Sequence, residues 1–168
     1  MIKVLHTGDI HLDSPFSGLS PDRAELRRAE LRSAFTSMMT YARTGDIEIV
    51  LVTGDLFESR YITRETAELV TGEFSRVGCP VIVSPGNHDP YTHGSIWEKI
   101  KMPDNVKVFS SDVLQCFSFP ELNTDVYGYA FVSGEMTSVP LASASVADRG
   151  RINLICAHAD MTSPLSHS

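Results

Sequence analysis

Asp9 and His11, then Asp55, then Asn87, His88 and Asp89 in a row, and last His158 are the residues of this chain best equipped for chemistry. Each group follows a short apolar run, and Gly8, Gly54 and Gly86 stand directly before Asp9, Asp55 and Asn87. Taken singly, an aspartate or asparagine at the end of a strand is an ordinary turn or cap residue. The repetition of polar donors behind successive apolar runs is what carries information. Asp9, His11, Asp55, Asn87 and His158 offer nitrogen and oxygen donors and no thiolate. Such a set suits Mn²⁺, Fe, Zn²⁺ or Mg²⁺ at a catalytic site better than a Cys-rich structural zinc site. One carboxylate can bridge two cations, and Asp55 is the candidate for that place. A cation pair can activate water and clamp a phosphoryl group. The glycines would let the backbone turn sharply and let side chains approach it closely.

The elements that must position these residues can be read from pattern. Residues 2–7, 47–53 and 80–84 are short apolar, β-branched runs, the signature of buried strands. Ser20-Pro21-Asp22 supplies an N-cap, a first-turn proline and an early acid for a helix running to about Arg43. Thr63 caps a second helix that Gly78 ends. Strand, helix, strand, helix, strand implies parallel pairing through right-handed crossovers, an α/β arrangement. A short helix is expected near 95–101, with Trp97 in the core. Strands at 106–109, 113–119 and 125–131 are expected to build a second, more antiparallel sheet, and 152–157 to be a further buried strand. In a parallel α/β sheet the carboxyl ends of strands share one edge, where ligands bind. The polar groups are therefore expected to converge there.

Composition narrows the function class. The chain has 168 residues and a formal net charge of −7, so a broad basic face for gripping nucleic acid is not expected. Nucleic acid as a substrate stays open, because bound cations reverse the local sign. Arg23, Arg27, Arg28 and Arg32 are interleaved with Glu25 and Glu30 and read as a solvated helix face. The cysteines Cys79, Cys116 and Cys156 are isolated and odd in number, so they read as buried free thiols in a reducing compartment. No signal peptide or membrane-spanning stretch is visible, which gives a cytoplasmic expectation.

At its polar strand ends the sequence resembles the calcineurin-like metallophosphoesterase family, whose motifs are D-x-H, G-D, G-N-H-D, a later strand-end His and a final G-H-x-H. The first four appear as Asp9-Ile10-His11, Gly54-Asp55, Gly86-Asn87-His88-Asp89 and His158. The stretch from His6 to Phe16 and Gly54-Asp55-Leu56-Phe57 look like the SbcD/YhaO branch of bacterial DNA-repair exonuclease-like proteins.

The resemblance implies a four-layer α/β/β/α sandwich. Residues 1–168 would form a single metallophosphoesterase domain that is the N-terminal portion of a longer one, with an incomplete second sheet. It implies two divalent cations, Mn²⁺ foremost. Asp9 and His11 would bind the first, Asp55 would bridge, and Asn87 and His158 would bind the second. His88 would be a catalytic histidine that is not a ligand, with Asp89 as its orienting partner or as a turn cap.

DNA or another phosphodiester would be the substrate, and an SbcC-like ATPase a possible partner. Two departures stand out. The final G-H-x-H is missing, and His167 is read as part of a frayed end. Glu58 stands three residues after Asp55, where some relatives carry a histidine that helps position a DNA phosphodiester; an acid there counts against that positioning, and the plainer alternative is a solvent-facing side chain. His6 is left between a core and a site-supporting role, and Tyr91 and His93 are read as loop residues.

Three functions remain in view from sequence: a Mn²⁺-dependent DNA exonuclease-like phosphodiesterase, a small-molecule phosphatase or phosphodiesterase, and an inactive metal- or partner-binding fragment. Unpaired strand edges of a partial second sheet would favour a homo-oligomer.

Overall fold

A computed structural model describes residues 1–136 and 140–159; His167 lies outside them. Strand β1 (Val4–Thr7) leads to helix α1 (Pro21–Thr44), β2 (Ile49–Thr53), α2 (Arg64–Arg76) and β3 (Val81–Ser84). A single helical turn, α3 (Ile96–Lys99), precedes β4 (Val106–Val108), and β5 (Gln115–Phe119), β6 (Thr124–Gly128) and β7 (Ile152–Cys156) follow. The first sheet has the order β1-β2-β3-β4, all parallel, with Leu5 opposite Val50 and Leu51 opposite Ile82. The second has the order β5-β6-β7, antiparallel at its first pair and parallel at its second.

The start signals in the sequence work as local chemistry. Pro21 opens α1 and Gly45 follows its last residue, with the Gly45 N–H donating to Tyr41 O. Thr63 caps α2 by accepting from the Thr66 N–H at 3.2 Å. The apolar residues of β2 and β3 are buried on both faces, which explains their unbroken Val/Ile/Leu runs. Val50, Val52, Val81 and Val83 pack against Phe35 and Met39 of α1 and Val70 and Phe74 of α2. Ile49, Leu51 and Ile82, on the opposite face, pack against Phe119, Val126 and Cys156 of the second sheet, with Phe109 between. The α, β and β layers of the expected sandwich thus stand in order.

Several assignments are corrected. Residues 106–108 extend the first sheet as β4, parallel to β3, instead of joining the second. With three residues and Lys107 at its centre, β4 carries too little pattern to reveal its partner. Its place is set by Val81 N–H donating to Asn105 O and by Asn105 Nδ2 donating to Phe74 O and Cys79 O. Strand β7 belongs to the second sheet, so its end meets the others across the seam between sheets, not along one shared edge. Cys79 and Cys156 are buried free thiols as expected, but Cys116 is exposed, because alternation along β5 turns it away from the intersheet core. Trp97 is buried and donates to Asp89 O. Among the described residues no helix is long and apolar enough to cross a membrane.

Candidate metal centre

The loops after β1 and β2 stay paired beyond the strands. Asp9 N–H donates to Gly54 O at 3.0 Å, His11 N–H to Asp55 O at 2.9 Å and Leu12 N–H to Leu56 O at 2.9 Å. This extended pairing fixes Asp9 and His11 beside Asp55. All three have left-handed backbones, with φ of 52°, 50° and 51° respectively. That region is uncommon for side-chain-bearing residues and recurs at functional sites.

Asp55 is the hub. Its side chain is nearly buried, with the whole residue 3% exposed. Oδ1 accepts from His88 N–H at 2.9 Å, while Oδ2 lies 3.6 Å from His11 Nε2 and 3.5 Å from His158 Nε2. Two donor clusters share this carboxylate. His11, Asp55 and His88 present ligand atoms within 4.8 Å of one another, and so do Asp9, Asp55 and His158. Asn87 joins through Oδ1, 3.1 Å from His158 Nε2.

His158 comes from the end of β7 and crosses to the first sheet. Its Nδ1 lies 3.3 Å from Thr53 O, so a proton on that nitrogen is held by the carbonyl and Nε2 keeps its lone pair for a cation. Tyr129 Oη donates to His158 O at 2.9 Å and steadies the backbone there. Two glycines make the approach possible. A Cβ on Gly54 would fall on the His158 ring, and one on Gly86 would fall on Asp55 Oδ1.

The seven site residues read from the sequence thus lie together, with Asp89 in a supporting position. Asp9 and His158 share one cluster with Asp55, and His11 and His88 share the other. The donor set fits divalent cations: imidazole, carboxylate and carboxamide around one shared, buried carboxylate.

Asp89 does not reach the His88 ring. It is 1% exposed, and its carboxylate accepts from Gly86 N–H at 2.7 Å and Phe57 N–H at 3.2 Å. Burial pushes its pKa up to about 7, the Asp55 charge adds to the rise, and the backbone donors oppose it. The acid beside His88 is Glu58 instead. Glu58 Oε2 is 3.0 Å from His88 Nδ1 and 3.5 Å from His11 Nδ1, with its side chain only 16% exposed. Reading Glu58 as solvent-facing missed this. Its spacing from Asp55 was the available signal, but only the fold shows that the turn after β2 folds back onto His88. His6, exposed on edge strand β1, hydrogen-bonds Thr53 Oγ1 at 2.8 Å and supports the second strand end.

A parallel sheet whose loop ends join a second sheet around one buried aspartate, ringed by imidazoles and carboxylates, defines a metallophosphoesterase. The chain belongs to the calcineurin-like phosphoesterase family, whose pattern matches residues 2–164. It is 31% identical over 137 residues to the uncharacterized metallophosphoesterase YhaO of Bacillus subtilis, covering 76% of this chain and 33% of that protein. It is 30% identical over 102 residues to the DNA double-strand break repair protein Mre11 of Haloferax volcanii, covering 58% of this chain and 21% of that protein. The chain therefore spans a third or less of the length of these curated relatives.

Proposed function

We propose that this chain carries the hydrolytic centre of a metal-dependent, exonuclease-like DNA phosphodiesterase, with Mn²⁺ as the working cation. The observation that carries the reading is the Asp55 carboxylate standing at the common apex of two ligand clusters. The similarity to a protein named for DNA double-strand break repair supports DNA as the substrate.

Asp9, His11, Asp55, Asn87 and His158 would hold two divalent cations. When bound, such cations supply Lewis acidity that activates water and neutralises charge on the phosphoryl group. His88 would face the phosphate, and its side chain is 44% exposed. Glu58 holds its Nδ1, which leaves Nε2 to donate a proton to the departing oxygen. Asp89 keeps the Gly86–Asp89 turn closed over the Phe57 amide and so fixes where Asn87 and His88 stand.

The test is His88→Ala. It is expected to lower kcat by roughly 10²–10⁴ while the chain still takes up two Mn²⁺ by calorimetry. Unchanged turnover would remove His88 from catalysis, and loss of one cation would make it a ligand instead.

The net charge of −7 and the acidic Glu58 favour a second reading, a phosphatase or phosphodiesterase for a small molecule. Under that reading an aryl phosphodiester is turned over and DNA is not. A chain that binds fewer than two cations at millimolar Mn²⁺ would instead be a metal- or partner-binding fragment. An SbcC-like ATPase remains the partner proposed by resemblance, a cytoplasmic setting goes with it, and light scattering decides between monomer and homo-oligomer.

A further inference from the structure

Beside the centre a cleft of about 660 Å³ opens between two turns, lined on one side by Glu58, Ser59, Arg60 and Tyr61 and on the other by Asn87 and His88. That volume lies within the range of about 300–1,000 Å³ typical of organic-ligand sites and is more than a lone phosphoryl group fills.

The first turn is locked to the second. Tyr61 N–H donates to Glu58 O at 2.9 Å, Ser59 N–H to His88 O at 3.3 Å and Ser59 Oγ to the same carbonyl at 2.6 Å. Arg60 and Tyr61 therefore sit at a fixed remove from His88.

Their chemistry is unspent. Arg27, Arg28, Arg32, Arg64, Arg76 and Arg151 each pair with a carboxylate. Arg23, Arg43, Arg60 and Arg149 have no ion pair among the described residues, and of these four only Arg60 lines the cleft. Tyr61 is 52% exposed, an aromatic face left to solvent. Past Ser59 and Pro90 the cleft continues into a second one of about 430 Å³ that includes Lys99, likewise without an ion pair among the described residues. In a chain of net charge −7, two uncommitted cations along one path from the candidate centre suit a substrate with phosphates spaced along a strand.

We infer that this cleft is a subsite for the nucleotide next to the scissile phosphodiester, with Arg60 holding its phosphate and Tyr61 stacking on its base. The inference rests on the phosphodiesterase reading above and makes the substrate polymeric. A cation and an aromatic face on a rigid turn form the pairing that binds single strands with little sequence preference.

The experiment compares a labelled oligothymidylate of about ten nucleotides with bis-para-nitrophenyl phosphate, which ends at the reacting phosphate. For the wild-type chain in Mn²⁺, kcat/KM for the oligomer exceeds that for the aryl ester. Arg60→Ala and Tyr61→Ala each lower this ratio about tenfold, through KM for the oligomer more than through its kcat. Tyr61→Phe keeps most of the ratio.

Anisotropy of the labelled oligomer on the His88→Ala chain reads binding without relying on turnover. There Arg60→Ala weakens binding and reduces the slope of log affinity against log salt by about 0.7, while Arg60→Lys restores the slope. Equal losses on both substrates, or oligomer binding unaffected by Arg60→Ala and Tyr61→Ala, would overturn the subsite. An aryl ester cleaved as well as the oligomer would overturn it too and leave the hydrolase reading standing. Failure to cleave either substrate with two cations bound would count against the hydrolase reading, and the binding data would still decide the subsite.

Discussion

At the residue scale, the centre depends on how close backbone can come to side chain. Gly86 lies against Asp55 Oδ1 where no Cβ fits. Gly86→Ala must push either the Asp55 carboxylate or the Asn87-His88 turn aside. Mn²⁺ affinity by calorimetry should fall at least tenfold, in keeping with lost ligand geometry, while the circular-dichroism spectrum is retained; wild-type affinity in this variant would contradict the close approach.

Asp89 gives a pH signature of its own. Its folded pKa is raised to about 7, against an unfolded value of about 3.9. Between those values the folded state binds the extra proton, so stability is highest at the acid end and falls as pH rises through about 7. In EDTA, the urea midpoint should drop from pH 5 to pH 8 more steeply for the wild-type chain than for Asp89→Asn, which cannot titrate. Parallel pH profiles would show that Asp89 keeps an ordinary carboxylate pKa.

The donors at Asp9, His11, Asp55, Asn87, His88 and His158 were legible in the sequence because type and strand-end position coincide. Glu58 was not, because its role comes from a turn that folds back onto His88 and not from any periodicity.

Among elements, the D-x-H loop is anchored by a buried aspartate two residues past His11. Asp13 accepts from Thr63 N–H at 2.7 Å, Thr63 Oγ1 at 2.9 Å, Thr66 Oγ1 at 2.9 Å and Arg32 Nη1 at 3.2 Å. One carboxylate thus ties the β1 loop to the first turn of α2 and the middle of α1. Thr63→Ala removes both the cap on Thr66 N–H and a bond to Asp13, and should cost about 1–2 kcal/mol in urea denaturation. Thr63→Ser should recover most of it, and a change under a few tenths would show the cap to be dispensable.

Strands β2 and β3 and both long helices could be read from sequence because burial on two faces and capping residues leave local marks. The partner of β4 and the sheet that holds β7 could not. A three-residue strand has no period, and β7 is as apolar as the central strands although its partner is β6.

For the molecule as a whole, the two sheets meet at the centre. Asp9, His11, Asp55, Asn87 and His88 come from loops of the first sheet, and His158 crosses from the second over Gly54. The packing of Ile49, Leu51 and Ile82 against Val126 and Cys156 is therefore what brings the last imidazole within reach. Cys156 shows how tight that seam is: burial pushes its thiol up to about 12, and its Sγ lies 3.6 Å from Val52 O. Neither sheet alone assembles both clusters, which is why convergence at a single edge was the natural but incomplete expectation from sequence. The proposed hydrolase requires Asp55 to serve two cations at once. Anomalous scattering from crystals soaked in Mn²⁺ tests this directly. Two peaks flanking the Asp55 carboxylate, one toward His11 and one toward His158, are expected. A single peak, or none within coordination distance of Asp55, would contradict it.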